Sequence, residues 1–249
     1  MAEDPRARWS AFLEKIEARH GELLTGARES LPGLVPDSGY ELSPFSNALT
    51  AIRTQCIGLS QKIDQTWSQS ACAAIEGAGL DSNAERARGD ACSKRMAHAL
   101  KRAEVEISAA AANVVCDLAK QTLAKDFKCT RCGAPLSPKQ SFFRSHYVPC
   151  QFCQSMNTFE PGMVARQVEH FAVHALAEGA ALDEQLAFLA GEERYRERHS
   201  TVSKEALVAL YEAYVDAYLA ERVRLLPDLA ADLDKDRHAK VSAFVYSIA

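Results

Sequence analysis

Two Cys-x-x-Cys pairs, Cys129-Thr-Arg-Cys132 and Cys150-Gln-Phe-Cys153, stand seventeen residues apart in a chain of 249 residues. No other feature limits the fold as tightly. A pair, a gap of about 15–20 residues and a second pair read as a four-thiolate zinc site, since two such knuckles can close four sulfurs around one soft cation. Gly133 follows the first pair and Pro149 precedes the second. Glycine permits a left-handed turn that aims backbone N–H groups back at a sulfur, and proline pre-sets φ on the way into a turn. The expected ligands are Cys129, Cys132, Cys150 and Cys153. With every tetrahedral position taken by thiolate, none is open to water or substrate, so the expected zinc is structural.

The run FKCTRCGAPL and, further on, HYVPCQFCQSMNTF predict two short strands, each bent around a knuckle. On these residues the segment of roughly 127–160 resembles a rubredoxin-like zinc ribbon. The resemblance implies a fold and one Zn²⁺ per chain, and it implies no activity. Other uses of the same cysteines stay open. Two disulfides would suit a secreted miniprotein, but the N-terminal MAEDPRARWSAFLEK has no apolar core of a secretion signal. A thioredoxin-type redox site needs one pair at a strand–helix junction rather than two matched pairs. A mononuclear iron site uses similar ligands. Cys56, Cys72, Cys92 and Cys116 are scattered, and read as small buried hydrophobes in a reducing compartment. A cytoplasmic location is the expectation.

Charge bears on partners. The net charge is −4, and it is uneven: residues 125–160 carry 5 basic and 2 acidic groups, while 161–249 carry 10 and 15. A Zn²⁺ held by four thiolates adds −2, which takes the ribbon from +3 to +1 and removes most of its basic character. No run of apolar residues is long enough to span a membrane.

The remainder is helical in pattern, so the fold class is mainly α with a small inserted β ribbon. Asp4-Pro5 caps a predicted helix over about 5–28, with Trp9, Phe12, Leu13, Ile16, His20, Leu23 and Leu24 at helical spacing. The stretch 31–44, with three prolines and two glycines, predicts a loop. Ser43-Pro44 starts a second helix whose seam is Phe45, Leu49, Ile52, Cys56, Leu59, Ile63 and Trp67, broken at Gly77-Ala-Gly79. Asp81 or Ser82 caps a third, over about 83–126, with Met96, Leu100, Ala103, Ile107, Ala110, Val114 and Leu118. Gly89 weakens its first turns by about 1 kcal/mol relative to alanine. Together these predict a long antiparallel helical hairpin. Beyond the ribbon, Pro161, Asp183, Ser200 or Thr201 and Asp228 mark the starts of further helices. The expected domains are 1–126, 127–160 and 161–249.

Other chemistry is thin. His170 and His174 lie at i, i+4 and can chelate a metal, but the pair lacks the internal glutamate of an H-E-x-x-H helix. Glu17 and His20 match one half of a di-iron motif that needs two. Tyr211, Tyr214 and Tyr218 share a helical face and suit either core packing or an interface. Phosphate loops, dinucleotide turns and nucleophile elbows do not occur. Lys128, Arg131, Lys139 and Arg144, interleaved with Phe142, Phe143 and Tyr147, suit nucleic-acid contact, or some of these rings fill the ribbon's own core.

The expected function is therefore a non-enzymatic interaction or scaffold protein. Its ribbon joins two helical regions and docks a protein partner or a second copy. A nucleic-acid-associated factor acting through the ribbon is the alternative, and an enzyme with a site assembled across helices is the least supported.

Overall fold

In a computed structural model, which describes residues 4–123, 127–137, 145–160, 162–197 and 201–248, Asp4 and Pro5 open the first helix as the sequence predicts. The Asp4 carboxylate accepts from the Arg6 N–H at 3.1 Å, and α1 runs Pro5–Ser30. Its buried face is Trp9, Leu13, Ile16, His20, Leu24 and Ala27. The predicted loop after it is ordered helix instead: a 3₁₀ turn over Leu31–Gly33 and a single turn α2, Leu34–Asp37. The prolines fit because they sit in first turns, and burial of Leu31 and Val35 holds the turns down.

Helix α3 spans Leu42–Thr66 and begins after Glu41, so Ser43-Pro44 lies inside its first turn rather than capping it. A π-turn over Trp67–Ala71 joins it to α4, Cys72–Gly77. The break falls where the glycines put it. Gly79 has φ +71°, its N–H bonds the Glu76 carbonyl, and the Leu80 N–H reaches back to Ile75, a Schellman ending. Asp81 then caps α5, Ser82–Leu123, accepting from Asn83 and Ala84.

The chain divides into two compact units, Met1–Ile107 and Ser108–Ala249, with the division inside α5. In the first unit, pairs across α1 and α5 keep a constant offset of 78 residues: Ser10–Arg88, Glu17–Arg95 and Arg28–Glu106. A constant offset means parallel helices. Between α3 and α5 the offsets shrink, from Arg53–Glu104 to Asp64–Arg86, so these two run antiparallel. The predicted hairpin is present, and α1 lies along it as a third helix. Trp9, Leu13, Ile16, Ile63, Ile75, Cys92 and Met96 form the shared core.

The predicted α5 seam holds only through Ile107. Ala110 is exposed, and burial moves to Ala111, Ala112, Val115, Cys116 and Ala119. A straight helix drifts about 20° per heptad against a 3.5-residue seam, and from Ser108 on the helix packs within the second unit.

In the second unit, strand β1 (His146–Pro149) pairs antiparallel with β2 (Met156–Phe159), with Val148 opposite Asn157 and Pro149 opposite Met156. After it come α6 (Met163–Gln167), a π-turn over Val168–Ala172, α7 (Val173–Ala180) and α8 (Leu182–Tyr195). Asp183 falls in the first turn of α8 rather than at its cap, because α7 runs into α8 through Ala181. Ser203, not Ser200 or Thr201, caps α9 (Lys204–Leu225), its hydroxyl accepting from the Ala206 N–H. The last stretch begins as a 3₁₀ turn, Pro227–Asp232, and becomes α10 (Leu233–Ser247) only from Leu233. Ala177, Ala181, Val215, Tyr218 and Leu219 form its core. Among the described residues no helix is long and apolar enough to cross a membrane.

Candidate metal centre

Each knuckle is built by two backbone hydrogen bonds around a left-handed residue. In the first, the Gly133 N–H bonds the Cys129 carbonyl at 2.9 Å and the Cys129 N–H bonds the Ala134 carbonyl at 2.8 Å. In the second, the Gln154 N–H bonds Cys150 and the Cys150 N–H bonds Ser155, both at 2.9 Å. Gly133 has φ +71° and Gln154 has φ +57°. The second turn thus makes the same bend with a side chain that opposes it, which the glycine-based reading of the sequence did not foresee. An isolated bridge between Lys128 and Pro135 closes the first knuckle, and β1–β2 closes the second.

The four sulfurs converge. All lie within 4.8 Å of one another, with Cys129–Cys153 at 3.5 Å and Cys132–Cys150 at 3.6 Å. A tetrahedral ion with metal–sulfur bonds of about 2.3 Å needs edges of about 3.8 Å, so the cluster fits one such ion. All eight cysteines are free thiols, without a disulfide. Cys129 and Cys150 are buried, Cys153 is half-buried and Cys132 is exposed.

Two residues outside the cysteine motif shape the site. The Ser155 hydroxyl lies 3.2 Å from Cys129 Sγ and 3.0 Å from Cys153 Sγ. Asn157, buried on β2, donates from Nδ2 to Cys129 Sγ at 3.6 Å and to the Ser155 carbonyl at 3.1 Å, while its Oδ1 accepts from the Thr130 N–H at 2.9 Å. The polar group at an inward strand position, opposite Val148, was the sequence signal for this. These donors favour thiolate. The Ser155 hydroxyl, aided by the Cys132 and Arg131 backbone N–H groups, draws the Cys129 thiol down to about 5, and Ser155 also lowers Cys153. At Cys132 the Ala134 N–H pulls the same way, but the neighbouring sulfurs and desolvation outweigh it and push the thiol up to about 12.

The other candidates do not assemble. Among the described residues the four cysteines are the one group of three or more potential ligands within metal-binding reach. His174 Nδ1 instead lies 2.8 Å from the Tyr218 hydroxyl, and His170 is exposed in the π-turn. Glu17 is held by Arg95 and its partner His20 is buried in the helical core. Tyr211, Tyr214 and Tyr218 pack inward, with Tyr211 stacked on Phe244 at 4.2 Å and Tyr214 bonded by Gln185. Cys56, Cys92 and Cys116 are buried as expected and Cys72 half-buried. In the ribbon, Phe127 and His146 pack on Phe159 and leave Tyr147 outside. Lys128, Arg131 and Tyr147 are exposed, whereas Lys139, Phe142, Phe143 and Arg144, like Pro161 and Ser200, lie outside the described residues.

No family model matches the chain, and no curated protein or solved structure matches it significantly.

Proposed function

We propose that Cys129, Cys132, Cys150 and Cys153 hold one structural Zn²⁺, and that the ribbon so formed docks an acidic, apolar segment of a partner protein. The ion supplies the cross-link that a module this small lacks from its own core. Zinc is proposed because four thiolates around one ion fill its tetrahedron and leave no position open to water or substrate. The protein is a binding module and not an enzyme. Reduced thiolates of this kind persist in a cytoplasm-like compartment.

One observation carries the docking reading. Tyr147, Phe152 and Met156 are 68%, 76% and 64% exposed, three of the five exposed large apolar side chains among the described residues. Tyr147 and Met156 sit diagonally on the sheet face opposite buried Val148 and Asn157, and Phe152 caps the knuckle between Cys150 and Cys153. Beside them Pro135, Leu136, Tyr147, Pro149 and Gln151 line a groove of about 390 Å³, large enough for an inserted side chain. Arg131, exposed within the first knuckle, selects acidic flanks on the partner.

The test sorts a displayed peptide library on the metal-loaded chain. The expected winners carry an aromatic or aliphatic anchor flanked by Asp or Glu, and Tyr147→Ser and Phe152→Ser each weaken them at least tenfold while keeping the metal. Winners that bind both variants equally well would refute this face. Single-stranded DNA bound with a steep salt slope, in place of any peptide, would establish the nucleic-acid alternative. Light scattering that shows self-association abolished by the same substitutions would make the occupant a second copy.

A further inference from the structure

We propose that Cys132 is a modification site, the thiolate at which hydroperoxides enter the metal centre and release its ion. The inference rests on the zinc reading above. Its basis is an asymmetry among four otherwise equivalent ligands. Cys129 and Cys153 share the Ser155 hydroxyl, and Cys129 also receives the Arg131 N–H at 3.4 Å and Asn157 Nδ2 at 3.6 Å, whereas the donor at Cys132 is the Ala134 backbone N–H. Donors on a sulfur occupy its lone pairs and lower its nucleophilicity. Cys150 is 1% exposed and out of reach of an incoming reagent. Cys132 is the exposed ligand, and Cys150 Sγ stands 3.6 Å away, placed to resolve what forms on it. Exposure together with thiolate character sets susceptibility to oxidation, and a metal-bound sulfur has thiolate character whatever its free pKa.

The chemistry balances with hydrogen peroxide as oxidant. The Cys132 thiolate attacks one peroxide oxygen; an S–O bond forms, the O–O bond breaks, and hydroxide leaves and takes up a proton as water. The product is a sulfenic acid. The Cys150 thiolate then attacks the Cys132 sulfur; the S–S bond forms, the S–O bond breaks, and the departing hydroxide takes a second proton as water. Two thiolates lose two electrons in all, and one peroxide becomes two waters. The sulfurs must close by about 1.5 Å to reach the disulfide length of about 2.05 Å. With two of four ligands gone the ion departs, leaving Cys129 and Cys153 reduced on Ser155. The docking face borders this site, since Phe152 lies between Cys150 and Cys153, so oxidation also removes the support of the face.

The test uses the full metal-loaded chain. Its ion content is first measured by mass spectrometry of the metal. Limiting N-ethylmaleimide is then applied, and labelling at each cysteine is read by peptide mass spectrometry. Cys132 is expected to label at least tenfold faster than Cys129 or Cys150, and ahead of half-buried Cys72. One equivalent of hydrogen peroxide is expected to yield a Cys132–Cys150 disulfide and, by a chromophoric chelator, one ion per disulfide. Ser155→Ala, which keeps all four ligands, should raise labelling of Cys153 severalfold and narrow its gap from Cys132. Even labelling of the four ligands, a Cys129–Cys132 disulfide, or an unchanged ratio in Ser155→Ala would overturn the proposal. A chain that carries no ion at the outset fails the zinc reading instead, and one that carries the ion but labels evenly fails only this inference.

Discussion

A Cβ on Gly89 would stand 2.9 Å from Trp9 Cζ2 and 3.3 Å from Ile63 Cγ2. The glycine therefore has a packing reason. The Trp9 indole lies against the bare backbone of α5, and its Nε1 donates to the Glu85 carbonyl, one turn earlier, at 3.0 Å. From sequence alone the same residue reads as a local weakness in the helix, because the ring that requires it is eighty residues away.

Gly89→Ala sets two effects against each other. Alanine gains about 1 kcal/mol of helix propensity. Displacing Trp9 and Ile63 from a packed core costs about 1–3 kcal/mol, and both neighbours are fully enclosed. The expected outcome is a net loss of about 1 kcal/mol, read as a lower urea midpoint with an unchanged slope. A raised midpoint would mean that the indole moves aside freely.

His20 predicts how the first unit responds to acid. Burial lowers its pKa below 6.5, and Glu17 one turn away opposes the shift. Arg95 and Cys92 of α5 contact that same Glu17, and Cys56 and Asp64 of α3 line a cavity together with His20. Between the lowered value and about 6.5 the unfolded chain binds more protons than the native one, so stability falls as pH drops through that window. Glu17 acts lower down: hydrogen bonds from Arg95 depress its pKa, so its contribution is held above about 4.5 and lost beneath it. His20→Gln should flatten the upper part of the curve and leave the lower loss in place. Urea titrations from about pH 3 to 7 read both windows, and an unaltered slope near pH 6 in the variant would remove His20 as the cause.

The cysteine spacing, the apolar periodicities of α1 and α3, and the Asp4, Asp81 and Gly79 signals were legible because each is local: a cap or a left-handed turn acts within about four residues. The π-turns at Trp67–Ala71 and Val168–Ala172 were not, since their extra residue per turn leaves the surrounding pattern helical. Nor was the drift of the α5 seam, which depends on what the helix meets in each unit. At the metal centre the sequence names the four sulfurs but not their supports. Ser155 and Asn157 matter only because the second knuckle and β2, respectively, carry them under Cys129, and Gln154 hides a left-handed turn that glycine marks openly at the first knuckle.

That turn is open to direct trial. A non-glycine residue in the left-handed region costs roughly 1–2 kcal/mol, which Gln154 carries at φ +57°. Gln154→Gly should relieve part of it and strengthen metal retention about two- to tenfold in competition with a chelator. Gly133→Ala, at φ +71°, should do the reverse by a similar factor. If both substitutions leave retention unchanged, the knuckle backbone is not what limits metal binding.

Asn157 gives the sharpest separation between a metal support and a simple core residue. Its amide is fully used: Oδ1 takes the Thr130 N–H and hydroxyl from the first knuckle, and Nδ2 serves the Ser155 carbonyl and Cys129 Sγ. One side chain thereby ties the two knuckles and donates to a ligand. Asn157→Ala leaves the Thr130 N–H without its acceptor and takes a donor from Cys129, so the metal should bind about 10–100-fold more weakly, as when an outer hydrogen bond to a ligand is cut. Asn157→Leu fills the space without the bonds. If the pocket needed only volume, leucine would restore the affinity that alanine loses. The expected result is that it does not, while the urea midpoint of the first unit, Met1–Ile107, stays at the wild-type value in both variants.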